Sequence, residues 1–236
     1  MKLVILAGGY GTRISEETDS KPKPMVLLDS KPIIWHLMNS FARQGFKDFV
    51  IATGYLGHVI HEWVERDLNE DWNVVPVDTG LDTQTAGRIA GCESAVGNQP
   101  FFVTYGDGLG NVNLKNLLDF HKGHGLTATV TAVRPPARFG LIESLNGRVT
   151  HFGEKNQADA GWINGGYFIL EPEIFDYVRG ESKPFEQSTL PKLVAEEKLA
   201  AFHHEGFWQP MDTLREKNEL SALASLPVPP WLSHEN

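Results

Sequence analysis

Three glycines, an arginine and a lysine are gathered near the start of the chain. Gly8, Gly9 and Gly11 follow an apolar run, Arg13 comes two residues later, and Lys23 sits within Lys21-Pro-Lys-Pro-Met25. Glycines allow positive φ and let a ligand reach main-chain N–H groups with no Cβ in the way, while the two cations supply charge. The set suits anionic oxygens, phosphates above all. Its spacing is neither that of a Walker loop, which needs Gly-Lys-Ser/Thr where Gly11-Thr12-Arg13 stands, nor that of a dinucleotide fingerprint, whose third glycine is replaced by Ile14. Two aspartates far along the chain offer the complementary chemistry. Asp107 lies between Gly106 and Gly108, free to turn a carboxylate toward a metal or to bond its own backbone as a turn residue. Asp212, in Pro210-Met-Asp-Thr-Leu-Arg215, is either a second metal ligand or a helix N-cap. In Thr85-Ala-Gly-Arg88, the arginine reads either as a solvated helix charge or as a phosphate contact.

Alternating elements must carry these residues. The apolar run 3–6 reads as a buried strand emptying into the glycines. Ile33, Ile34, Leu37, Met38 and Phe41 share one helical face, with Pro32 at the first turn and Gly45 at the exit. Strands over 48–53, 73–77, 100–104 and 127–133 then alternate with helices over 59–68, 86–96 and 114–121. That rhythm implies right-handed crossovers and a mainly parallel sheet, with ligands at the strands' carboxyl ends. Asn146-Gly147 between 141–144 and 148–152 signals an antiparallel hairpin. A strand over 162–170 and helices over 188–197 and 214–226 complete the pattern, and the proline-rich tail 227–236 cannot prolong the last helix. The expected fold is α/β: a Rossmann-like mixed, mainly parallel sheet flanked by helices, with a small antiparallel β-ribbon, forming one domain over 1–236.

Composition narrows the partners. A formal charge of −9 repels nucleic acid and acidic membranes, so neither is expected as a partner. No apolar run approaches the roughly 20 residues that span a bilayer, and no signal-peptide pattern opens the chain. The lone Cys92 reads as a buried small hydrophobe in a reducing, cytoplasmic setting. His58 with His61, and His121 with His124, share helical faces but lack an evident third ligand, so no zinc is assigned.

Taken together, Leu6-Ala-Gly-Gly-x-Gly-Thr-Arg13 and Lys23-Pro24 resemble the signature of sugar-1-phosphate nucleotidylyltransferases. Within that family, Lys21-Pro-Lys-Pro-Met25, Tyr105-Gly-Asp-Gly108, Ile163-Asn-Gly-Gly166 and 207–215 look like the members that join CTP to glucose 1-phosphate. The resemblance covers Met1 to about Arg215. It implies CTP and glucose 1-phosphate as substrates, Mg²⁺ as cofactor and a homo-oligomer. Another triphosphate or hexose phosphate, or a non-catalytic sugar-nucleotide sensor, are the alternatives. It further implies nucleotide contacts from Leu6, Ala7, Gly8, Gly9, Gly11, Thr12, Arg13, Lys23, Thr85, Arg88 and Gly106, with Arg13 and Lys23 catalytic. Tyr105, Glu154, Lys155, Asn164 and Gly165 would hold the sugar phosphate, and Asp107 and Asp212 the metal. Trp162, Phe207 and Trp208 would present an apolar sugar face or belong to the core. Three departures stand out: Ala86 replaces an expected glycine, Asn156 stands where the pattern usually has proline, and about two dozen residues that the family carries between Arg66 and Asp71 are replaced by a short link.

Overall fold

The computed structural model of the chain describes residues 1–68, 70–135, 140–145, 147–154 and 161–233, with 140–145 and 151–154 described through their backbone alone. In chain order the strands are β1 (Lys2–Leu6), β2 (Leu27–Leu28), β3 (Lys31–Pro32), β4 (Asp48–Thr53), β5 (Asn73–Asp78), β6 (Phe101–Tyr105), β7 (Gly108–Gly110), β8 (Ala128–Val133), β9 (Gly140–Leu145), β10 (Arg148–Glu154), β11 (Ile163–Leu170), β12 (Leu199–His204) and β13 (Trp208–Pro210). The helices are α1 (Ser15–Thr18), α2 (Ile33–Arg43), α3 (Gly57–Arg66), α4 (Thr85–Gly91), α5 (Glu93–Val96), α6 (Leu114–His124), α7 (Phe175–Val178), α8 (Thr189–Ala195) and α9 (Leu214–Ala224).

One seven-stranded sheet has the order β12-β8-β11-β6-β1-β4-β5, and in it β11 alone runs against its neighbours. Its central strands read as unbroken apolar runs because both faces are covered. Along β1, Leu3 and Ile5 point into one core with α2, α3, α6 and α9, while Val4 and Leu6 point into a second with α4, α5, α7 and α8. The parallel register of β4, β1 and β6 brings Thr53, Leu6 and Tyr105 to one edge of the sheet, and the reversed β11 begins there with Ile163 opposite Val133. The β9–β10 hairpin forms where Asn146-Gly147 places it.

Several elements depart from the sequence-based expectation. The helix expected over 86–96 divides at Cys92. Edge strand β12 is not among the expected elements, because Leu199-Ala-Ala-Phe-His-His204 contains no β-branched residue and no strict apolar–polar alternation. The ribbons β2–β3 and β7–β13 are two and three residues long, too short for periodicity to register. Within the proline-rich tail the indole of Trp231 is fully buried, edge-on to His36 and against Phe207, and its carbonyl accepts from Ser40 Oγ at 3.2 Å. Trp231→Ala should therefore cost about 3–5 kcal/mol in urea unfolding, the usual cost of emptying an aromatic core position; a loss within error of zero would mean that the tail does not dock.

Candidate active site

The carboxyl edge of β1 becomes the floor of a cavity of about 870 Å³, of the size that takes a small organic ligand. Residues 6–13 line it together with Lys23, the segment 81–85, residues 104–108, the start of β11, Trp208 and Asp212. Backbone bonds tie the loop down: Ala7 N donates to Ala52 O at 2.9 Å, Tyr55 N to Gly8 O at 3.2 Å, and Gly106 N to Leu6 O at 3.0 Å. Gly11 takes φ of +66° before the short helical turn Thr12–Ile14, a conformation that favours glycine. Tyr10 reaches across the mouth, donating to Asp82 Oδ1 at 2.6 Å.

Arg88 lies beneath this loop rather than in solvent. It is 4% exposed, and its Nη1 donates to Thr53 O (3.0 Å), Thr79 Oγ1 (2.8 Å) and Gly80 O (2.9 Å), while Nη2 donates to Gly8 O (2.9 Å) and Leu81 O (3.2 Å). The solvated-charge reading is therefore wrong. Both terminal nitrogens are committed to protein acceptors, so the side chain clamps the glycine loop to the 79–81 turn from below. Desolvation lowers its pKa from the ordinary arginine value, chiefly through burial. This clamp also accounts for Gly8: a Cβ there would stand 2.1 Å from Arg88 Nη1. Ala86, where a glycine was expected, is fully buried in the core under α4, so its methyl does not face the cavity.

The charged centre joins segments far apart in sequence. Lys23 Nζ lies 2.5 Å from Asp107 Oδ2 and 2.8 Å from Asp212 Oδ1, and Arg13 Nη1 lies 2.8 Å from Asp212 Oδ2. Burial alone would depress the ammonium's pKa, but the two carboxylates outweigh it and hold the pKa above the ordinary lysine value. Lys23 thus keeps its proton. The β7–β13 ribbon sets the aspartates opposite one another, pairing Gly108 with Pro210, and Met211 N extends it by donating to Asp107 O at 2.8 Å. Thr213, not Asp212, caps α9: its hydroxyl accepts from Glu216 N, and Glu216 Oε2 accepts from Thr213 N at 2.9 Å and Asp212 N at 2.7 Å. The capping box leaves the Asp212 carboxylate to face Lys23 and Arg13. Nor is Asp107 merely a turn residue, since its carboxylate accepts from Lys23. Two carboxylates fit a hard divalent cation that completes its shell with waters and phosphate oxygens. Among the described residues no group of three His, Cys, Asp or Glu is placed to hold a metal.

On the other side of the cavity, Asn164 Oδ1 accepts from Gly166 N at 2.8 Å and its Nδ2 donates to the Tyr105 hydroxyl at 3.3 Å. Gly166, at φ +78°, has the Tyr105 ring against it, where a Cβ would meet Cδ2 at 2.5 Å. Trp208 Nε1 donates to Gly165 O at 2.7 Å, and of the three candidate aromatics Trp208 alone lines the cavity. Trp162 packs on His203 under Arg134, and Phe207 on Trp231. The Thr85 hydroxyl turns away from the cavity's interior to Glu186 Oε2 at 2.9 Å, a residue that no local pattern singles out. The Glu154 side chain and Lys155 lie outside the described residues. Cys92 is buried, and desolvation pushes its thiol up to about 12, so it is the inert hydrophobe expected.

Comparison with known proteins identifies the family and the fold. The family profile described as nucleotidyl transferase matches residues 2–215. The chain is 43% identical over 257 residues to a glucose-1-phosphate cytidylyltransferase of Salmonella typhimurium, covering the whole of both. It is 35% identical over 232 residues to a mannose-1-phosphate guanyltransferase of Saccharomyces cerevisiae, across 94% of this chain and 63% of that one. Among solved structures, HddC from Yersinia pseudotuberculosis complexed with GMP-PN superposes with a TM-score of 0.75 at 24% identity, over 94% of this chain and 98% of the other.

The clamp under the loop carries its own test. Arg88→Lys keeps a charge but loses the fork, leaving buried carbonyls without donors, and should cost roughly 1–3 kcal/mol in urea unfolding. Unfolding indistinguishable from the parent would show that the guanidinium does not hold the loop.

Proposed function

The chain belongs to the nucleotidyl transferase family, and on that premise we propose that it transfers the cytidylyl group of CTP to α-D-glucose 1-phosphate, releasing pyrophosphate and CDP-glucose. Nucleotidyl transfer itself follows from the family. The choice of CTP and glucose 1-phosphate rests on full-length likeness to a protein of that name. The observation that carries the chemistry is the buried Lys23 ammonium at the foot of the glycine loop, between Asp107 and Asp212.

In this reading an oxygen of the sugar phosphate attacks the α-phosphorus in line. The bond from that phosphorus to the oxygen bridging to the β-phosphate breaks, and its electron pair leaves with pyrophosphate. Two anions must approach one another, so positioned donors supply most of the catalysis. The Gly8 to Arg13 loop binds the triphosphate, Lys23 serves the α-phosphate and incoming phosphate, and the exposed Arg13 stands on the leaving-group side. Asp107 and Asp212 would hold Mg²⁺. When bound, that ion supplies charge neutralisation at the phosphoryl oxygens. Asn164, Gly165 and Tyr105 hold the sugar phosphate, with Glu154 and Lys155 assigned there by resemblance. A homo-oligomer and a cytoplasmic setting belong to the same reading; the first rests on resemblance alone and the second on the lone buried thiol. No helix among the described residues is long and apolar enough to cross a membrane.

Pyrophosphate release with glucose 1-phosphate across CTP, UTP, GTP and ATP should favour CTP, and preference for another base would reassign the substrate while leaving the reaction class. Lys23→Ala should lower turnover by about a hundredfold or more; unchanged turnover would remove Lys23 from the chemistry. Mg²⁺ should raise the melting temperature of the parent by mass action. Asp107→Asn and Asp212→Asn should each lose that rise, and a parent-like rise in both would exclude ligation.

A further inference from the structure

Glu186 takes no part in the reaction just described and does not line the cavity, yet it holds the hydroxyls of two residues that do, Thr85 and Tyr105. It lies between α7 and α8, next to the fully buried Phe185, whose ring packs edge-on against Phe168. Its carboxylate accepts from two hydroxyls of cavity-lining residues on different elements: Tyr105, at the end of β6, donates to Oε1, and Thr85, at the start of α4, donates to Oε2 at 2.9 Å. Each hydroxyl is in turn an acceptor. Phe185 N donates to Thr85 Oγ1 at 2.7 Å, and Asn164 Nδ2 donates to the Tyr105 oxygen at 3.3 Å. The network ends at Gly166 N, which donates to Asn164 Oδ1 at 2.8 Å.

Every bond in this chain points toward Glu186. An ionised carboxylate only accepts, so it fixes the direction of both hydroxyls and, through Tyr105, the way the Asn164 amide faces. We propose that Glu186 is a positioning residue which, acting through Tyr105, sets the orientation of Asn164 for binding the sugar end of the substrate, and which anchors that side of the cavity to the start of α4 through Thr85. Burial first, and Glu186 second, raise the pKa of the Tyr105 phenol, which accordingly stays a donor.

An amide at position 186 presents one acceptor and one donor where two acceptors are needed. One hydroxyl must then reverse, and the chain to Asn164 is the arm that reaches the ligand. The inference rests on the nucleotidyl-transfer reading, and the test separates the two. Titration calorimetry first ranks the parent's affinity for the CDP, UDP, GDP and ADP forms of glucose. A winner other than CDP-glucose overturns the base assignment alone, and the cycle is then run with that ligand. Glu186→Gln should weaken the nucleotide sugar about tenfold, the usual consequence of spoiling a hydrogen bond to a charged group. It should change the affinity for the corresponding nucleoside triphosphate by less than about twofold, because that ligand lacks the hexose. Tyr105→Phe severs the same chain, so the double variant should bind within about twofold of Tyr105→Phe alone. Parent-like affinity in Glu186→Gln, equal losses for both ligands, or full additivity in the double variant would each overturn the role of Glu186.

Discussion

The arrangement depends on a lysine ammonium held between two carboxylates at a place where little water reaches. Lys23 is 7% exposed, and a lone buried cation would be driven to give up its proton. Asp107 and Asp212 keep it charged, and in return Lys23 keeps two like charges close together. A pair of neighbouring carboxylates with a cation between them is poised to meet a divalent ion and a polyphosphate, since each newcomer brings the charge that the other lacks. The same cluster is costly to build. That cost explains why so much of the surrounding fold goes into fixing backbone positions rather than adding contacts to the charges themselves.

Three devices do the fixing. The parallel register of β1 and β6 places the glycine loop beside the Asp107 loop, the β7–β13 ribbon delivers Asp212 opposite Asp107, and the Thr213–Glu216 capping box starts α9 one residue later, so that Asp212 is not consumed as a cap. Arg88 adds a fourth constraint from below. Its fork satisfies carbonyls from three separate turns and leaves room only because positions 8 and 54 have no side chain, a Cβ at Gly54 falling 2.5 Å from Nη1. Gly8 is thus explained by the guanidinium beneath it, whereas Gly9 has open space around a Cβ.

Much of this was legible in the sequence. The strand pattern held because the central strands are buried on both faces, and the helices announced themselves through faces such as Ile33, Leu37 and Phe41. Asp107 and Asp212 could be nominated from their settings, but each had an equally good local explanation, and only the tertiary pairing with Lys23 shows that neither carboxylate is spent as a turn or cap group. For Arg88 the sequence left a solvated charge and a phosphate contact open and offered no sign of the clamp, because a helix position facing inward beneath a loop has no signature in its own neighbours. Glu186 carried no signal at all: its partners Thr85 and Tyr105 are 101 and 81 residues away, and a glutamate in a loop reads as surface. Trp231 was hidden for a related reason, since proline-rich composition speaks of what a segment cannot form and is silent on where a single indole docks.

The most direct test of the central claim is an anomalous-scattering map from crystals grown with CTP and Mn²⁺ in place of Mg²⁺. The account predicts a metal peak within ligand distance of the Asp107 and Asp212 carboxylates and of the triphosphate, with the phosphates along Gly8 to Arg13. A metal bound away from that aspartate pair, or a triphosphate seated away from the glycine loop, would contradict it.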